Sequence, residues 1–265
     1  MILVRLETES GPIWAARQGT EFCAVKWIDG QPMATDETVT GDRLLAPVDP
    51  PVILAIGLNY RHHAEESGAE IPKFPVLFVK TPNTLIGPEE PIILPKKLVS
   101  SKVDFEGELA FVISKKAKNV PKEKAMDYVL GFTIANDISA RDWQKDWGGS
   151  QWIKGKSFDN FCPVGPDLVT LDEFEDWRRL RLKTTVSGEV MQDWFTDDLI
   201  FDIPTLVEFL SGSTTLLPGT LVLTGTPQGV GMARNPPRFL HSGDVCEIEI
   251  EGIGCLRNPV IDERL

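Results

Sequence analysis

Histidine is scarce in this chain, with three in 265 residues, and tyrosine scarcer still, with two. A site built mainly from imidazole ligands has little to draw on, and the H-E-x-x-H pattern of zinc hydrolases is absent. The four cysteines, at 23, 162, 246 and 255, form no C-x-x-C pair and lie far apart, which excludes a zinc ribbon and a disulfide framework and leaves reduced, buried thiols. No apolar run reaches the roughly 18 to 20 residues that span a bilayer. Positive charge is in the minority, 27 Lys and Arg against 39 Asp and Glu for a net charge of −12, so neither nucleic acid nor an anionic membrane surface is an expected partner. The N-terminal MILVRLETESGPIW has no basic stretch followed by an apolar one, so no secretory signal is expected and a cytoplasmic location is the default. Repeats and low-complexity segments are also missing.

What remains is ordinary globular composition, 42% apolar and 25% charged, in a chain long enough for one large domain with a small appendage. Short strand patterns at Ile2–Leu6, Ile13–Arg17 and Phe22–Ile28, broken by Ser10-Gly11-Pro12 and Asp29-Gly30, predict a β-rich N-terminal domain over 1–47. The proline-rich Ala46-Pro47-Val48-Asp49-Pro50-Pro51 marks its end, and a main domain follows over 48–265. There, strands are expected at Val52–Ile56, Val76–Lys80, Val103–Ile113, Leu130–Ile138, Leu180–Ser187, Thr220–Thr224 and Val245–Ile250. Helices are expected at Tyr60–Ser67, capped by Asn59 and ended by Gly68, at Pro121–Val129, and at Pro204–Leu210. The irregular interleaving predicts an α+β fold on a mixed, largely antiparallel sheet.

Val103-Asp104-Phe105-Glu106-Gly107-Glu108-Leu109 carries the most chemistry. Residues two apart on a strand face one side, so Glu106 and Glu108 converge and repel unless water solvates them or a cation is shared. A hard divalent ion such as Mg²⁺ or Mn²⁺ suits paired carboxylates; a solvated edge strand is the plainer alternative. Asp137 ends an apolar run and needs a partner of its own, either the same metal, which would keep about three coordination positions for water or substrate, or a helix cap or an ion pair with Arg141. On the helix predicted after Asn59, His63 and Glu66 lie three apart on one face and can act as an acid–base dyad on a mobile lid, or be surface residues of a small helix. Lys80, ending a buried strand, calls for an anionic ligand or a structural carboxylate. Lys154-Gly155-Lys156-Ser157 fails the phosphate-loop pattern because Ser150 stands where glycine is required.

Gly57-Leu58-Asn59-Tyr60-x-x-His63-Ala64-x-Glu66, Phe105-Glu106-Gly107-Glu108-Leu109, Ser139-Ala140-Arg141-Asp142, Gly155-Lys156-Ser157-Phe158-Asp159 and Leu223-Thr224-Gly225-Thr226-Pro227 together resemble the fumarylacetoacetate hydrolase family in order and spacing. The resemblance spans roughly residues 50 to 260, and Lys156 to Pro163 with Gly229 to Pro237 is most similar to its domain-containing protein 2 subgroup. It implies a roll or barrel-like mixed β core, a homodimer, and one Mg²⁺ or Mn²⁺ on Glu106, Glu108 and Asp137. It further implies His63 and Glu66 as the base dyad, Lys156 as the cation that stabilises developing negative charge, and Lys80, Arg141, Gln144 and Thr226 as substrate contacts. Leu58 stands where true fumarylacetoacetases carry an aspartate ligand. That departure points away from fumarylacetoacetate and toward a small 2-oxo acid such as oxaloacetate, enolised at the metal and then tautomerised or cleaved at a C–C bond. An isomerase or decarboxylase of hydroxyheptadienedioate or carboxymethyl-hydroxymuconate type, and a metal-binding scaffold without activity, are the alternative expectations.

Overall fold

The structure, a computed structural model, describes residues 1–28 and 30–265. The Asp29-Gly30 turn therefore lies partly outside the described residues. Apolar strands dominate, and two of them, Val129–Asn136 and Gly107–Ile113, are buried at every position. The reason is packing on both faces. Along Gly107–Ile113, Leu109, Phe111 and Ile113 point into a core shared with Leu182, Ile248 and the helix residues Leu206 and Leu210, while Ala110 and Val112 point into a second core with Ile53, Val164 and Leu221. Each fully buried large side chain contributes about 1.5–3 kcal/mol.

These strands lie centrally in a mixed sheet of twelve among the described residues. From one edge it runs Gln31–Val39, Glu21–Ile28, Ile13–Gln18, Ile2–Glu7, Cys162–Thr170, Val129–Asn136, Gly107–Ile113, Leu221–Leu223, Ile53–Gly57 and Val76–Lys80. The N-terminal strands thus continue the main sheet, through Ile2 opposite Val169 and Leu3 opposite Leu168. A second, five-stranded sheet, from Glu189–Phe195 to Ile92–Leu94, closes over one face. The likeness to an α+β fold with a mixed sheet holds throughout.

Three expectations change. The strand foreseen over Val103–Ile113 breaks at Phe105 and Glu106, because Val103–Asp104 pairs with Ser139–Ala140 whereas Gly107 onward pairs with Val129–Asn136. Side chains take over the two freed amides: Asp104 Oδ1 accepts from Phe105 N at 2.9 Å and Asn136 Oδ1 from Glu106 N at 3.0 Å. Pro121–Val129 is a run of tight 3₁₀ turns over Lys122–Tyr128, opened by Lys124 N to Pro121 O at 2.9 Å. The helix over Arg61–Glu66 starts without a side-chain cap, since Asn59 is buried and bonds instead to Thr224 O at 2.7 Å and Phe201 O at 3.1 Å.

Candidate active site

An internal strand, not a solvated edge, carries Glu108, and Glu106 stands directly before its first residue. Gly107–Ile113 has Val129–Asn136 on one side and Leu221–Leu223 on the other, and Asp137 follows directly after Val129–Asn136, its N–H donating to Glu106 O at 2.9 Å. The backbone register therefore brings together carboxylate oxygens of Glu106, Glu108 and Asp137 within 4.8 Å of one another. All three are buried, with 6%, 1% and 1% exposure. Glycine between the glutamates is a packing requirement, because a Cβ at Gly107 would collide with Thr184 Oγ1. Gly225, at φ +101°, turns its N–H onto Glu108 Oε2 at 2.6 Å.

Cations meet two of the three acids. Lys156 Nζ bridges Glu106 Oε2 at 2.6 Å and Asp137 Oδ2 at 2.7 Å. Arg141 Nη1 takes Glu106 Oε1 at 2.8 Å, and Lys80 Nζ takes Asp137 Oδ1 at 2.7 Å. Arg141 does not pair with Asp137, the alternative open in the sequence; its Nε and Nη2 are held by Asp104 Oδ2 at 2.9 and 2.8 Å. Burial alone would raise the Glu106 pKa, but the Lys156 ammonium and Arg141 guanidinium outweigh it and hold the carboxyl well below the usual range. Glu108 goes the other way. Burial first, then the Asp137 and Glu106 charges, push its pKa well above the ordinary carboxylate value. A clustered set of oxygen-only donors, one of them short of positive charge, fits a hard divalent cation.

His63 Nδ1 lies 3.1 Å from Glu66 Oε2, whose other oxygen accepts from Gly229 N at 2.9 Å. Where Nδ1 carries the hydrogen and donates to Glu66, Nε2 is the ring's acceptor. His62 turns to Asp198 Oδ2 at 2.9 Å and stacks near Trp194, away from this pair. A cavity of about 200 Å³ connects the groups, with His63, Glu106, Glu108, Arg141, Lys156 and Thr226 in its wall and Gln144 beside them. Lys80 is not in that wall. Its ammonium is spent on Asp137, Lys156 O at 2.6 Å and Ile138 O at 3.3 Å, so no donor is left for a ligand. A larger hollow of about 490 Å³, with Met126, Trp177 and Pro204 in its wall, holds no comparable cluster among the described residues.

Several residues at this site carried no role in the sequence reading. Asp104 has the parity of Glu106 and Glu108, a signal that was present, and it holds Arg141 and the Gly231 and Met232 amides at 2.7 and 3.0 Å. Gln192 had no signal: it arrives from the second sheet, accepting from Gly107 N at 3.0 Å and donating to Thr226 Oγ1 at 2.7 Å.

A mixed sheet whose central strands present a buried acid cluster to a small cavity, faced by an imidazole–carboxylate pair, defines the class of small-molecule enzyme-type sites. The particular family follows from comparison. Residues 52–261 match the family model described as fumarylacetoacetate (FAA) hydrolase C-terminal, and the chain belongs to the fumarylacetoacetate hydrolase family. It is 47% identical to the mitochondrial oxaloacetate tautomerase fahd2 of Xenopus laevis over 82% of this chain and 68% of that protein. It is 46% identical to the fumarylacetoacetate hydrolase domain-containing protein 2 homolog of Dictyostelium discoideum, over 82% and 74%. Among solved structures, the 2-hydroxyhepta-2,4-diene-1,7-dioate isomerase of Mycobacterium marinum superposes with a TM-score of 0.86 at 39% identity, covering 100% of both chains. No described helix is long and apolar enough to cross a membrane.

Proposed function

We propose that this protein is a divalent-metal-dependent enzyme that interconverts the keto and enol forms of oxaloacetate or a closely similar 2-oxo acid. The observation that carries the reading is the buried Glu106–Glu108–Asp137 cluster, of which Glu106 and Glu108 line the same small cavity as His63, itself bonded to Glu66. Those three carboxylates would hold Mg²⁺ or Mn²⁺, which when bound supplies Lewis acidity toward the 2-oxo group. The protein groups do the rest. Arg141 Nη1 donates to Gln144 Oε1 at 3.0 Å, which leaves the Gln144 amide N–H bonds to grip a substrate carboxylate. The Lys156 ammonium, with its pKa raised because Asp137 and Glu106 outweigh the burial that would lower it, stays charged and faces the oxygen on which negative charge grows. His63 Nε2 removes the proton from the carbon next to the carbonyl and returns it to oxygen, with Glu66 holding the ring's tautomer.

The isomerase names of the solved relatives support the second reading, double-bond migration by the same proton shuttle. Four free thiols suit a reducing compartment, for which we take the cytoplasm. A homodimer is inferred from the family likeness and from exposed Val99 and Trp147 on either side of Trp143. The test is loss of the enol absorbance of oxaloacetate together with calorimetric titration of Mg²⁺. His63→Ala should keep the metal affinity and slow turnover by about 10²–10⁴-fold, whereas Glu106→Ala or Asp137→Ala should lose both. Unchanged Mg²⁺ affinity in the carboxylate variants overturns the assignment.

A further inference from the structure

Three of the four cations around the acid cluster are committed to carboxylates: Lys80 to Asp137, Lys156 to Glu106 and Asp137, and Arg141 to Asp104 and Glu106. Lys145 is the fourth. It stands in the wall of the same cavity, and among the described residues no carboxylate lies within ion-pairing distance of its ammonium. The acids of its own turn are occupied elsewhere: Asp146 pairs with Lys102 at 3.0 Å, and Asp142 accepts from Ser100 Oγ at 2.7 Å and Ser101 N at 3.1 Å.

Backbone shape explains how two consecutive side chains reach one cavity. Asp142–Asp146 is a widened π-type turn, closed by Trp147 N to Asp142 O at 2.9 Å, and it brings Gln144 and Lys145 together into the wall. In a regular α-helix consecutive residues point about 100° apart. Lys145 stays exposed at the mouth of the cavity, where partial desolvation, and then the like charge of Arg141, lower its pKa from the ordinary value.

We propose that Lys145 determines specificity by binding the second, distal carboxylate of a dicarboxylic 2-oxo acid, while the Gln144 amide N–H bonds hold the first. The inference rests on the reading of the cavity as a 2-oxo acid site. A monocarboxylic acid would leave Lys145 without a partner; a four-carbon diacid would not.

The test uses unreactive look-alikes, racemic malate for the diacid and racemic lactate for the monoacid, titrated calorimetrically into the Mg²⁺-loaded protein. Wild type should bind malate at least about tenfold more tightly than lactate. Lys145→Ala should bring the two affinities together by weakening malate alone, and Lys145→Arg should restore most of the difference. Equal weakening of both ligands, no change in their ratio, or binding of neither by wild type overturns the proposal. Oxaloacetate turnover is measured on the same samples. A malate preference that depends on Lys145 without any tautomerisation would sustain this inference and sink the proposed reaction, and tautomerisation with a ratio indifferent to Lys145 would do the reverse.

Discussion

Among the described residues Glu108 pairs with no cation, although it is as deeply buried as Asp137, and its hydrogen bond comes from a backbone amide. Because the folded protein holds the Glu108 proton more tightly than the unfolded chain, ionising this group costs stability as pH rises above the ordinary carboxylate range. Glu108→Gln keeps the acceptor for Gly225 and replaces a repelling oxygen with a donor. The metal-free variant should therefore be more stable than wild type at neutral pH, by about 1–3 kcal/mol in denaturant unfolding, while losing Mg²⁺ affinity. A less stable variant would mean that Glu108 is held by contacts other than those described. Asp137 is the contrast, since its removal takes the carboxylate from buried Lys80 and leaves buried Lys156 with Glu106 alone. The sequence announced the pairing of Glu106 with Glu108 through their spacing. It could not announce which lysine meets which oxygen, because Lys80, Asp137 and Lys156 are far apart along the chain.

Among the elements, the helix Ile203–Ser211 shows how local chemistry is written in sequence. Asp202 stands at its N-cap, accepting from Thr205 N at 2.9 Å, and Lys122 lies 3.0 Å from the same carboxylate. Burial works against the ionised form, but the Thr205 and Lys122 bonds prevail and hold the Asp202 pKa below its ordinary value. The sign follows: this contribution is present above the unfolded pKa near 3.9 and is lost as pH falls through the lower folded value. Asp202→Ala should cost about 1 kcal/mol at neutral pH, and the gap from wild type should close as pH falls through the lowered folded value in parallel unfolding curves. A gap that persists in acid would assign the cost to packing. The proline start and the Ser211-Gly212 stop made this helix readable within a residue at each end. Arg61–Glu66 was readable in position and not in capping, because Asn59 serves a tertiary bond to the strand loop at Thr224. A side chain with two possible uses is decided by what the fold places beside it.

At the scale of the whole molecule, the proline-rich segment near 47 separates two stretches of sequence, yet hydrogen bonding crosses it. Leu3, Val4 and Leu6 are buried, and Ile2–Glu7 covers an edge of Cys162–Thr170. We propose the division into 1–47 and 48–265 as a description of the chain, with the smaller part acting as a cover for the larger sheet. Removing residues 1–47 should then leave an open, apolar strand edge, seen as concentration-dependent association in light scattering of the truncated protein. A monodisperse truncation with wild-type stability would show the two parts to be independent.

Period-two spacing in V-D-F-E-G-E, the three-residue interval of His63 and Glu66, and the turn residues at Gly68 and Gly212 were enough to determine that two acids converge, that an imidazole and a carboxylate pair on a small helix, and that the fold mixes strands with few helices. These depend only on backbone periodicity and local steric limits, which the chain carries with it. Tertiary structure alone decided that the strand of Glu108 is internal, that Lys80 turns its charge to Asp137 rather than to the cavity, that Gln192 and Asp104 brace the site, and that no carboxylate among the described residues pairs with Lys145. Those outcomes depend on contacts between residues distant in sequence, where register and burial select one of several partners that the local chain would accept equally well.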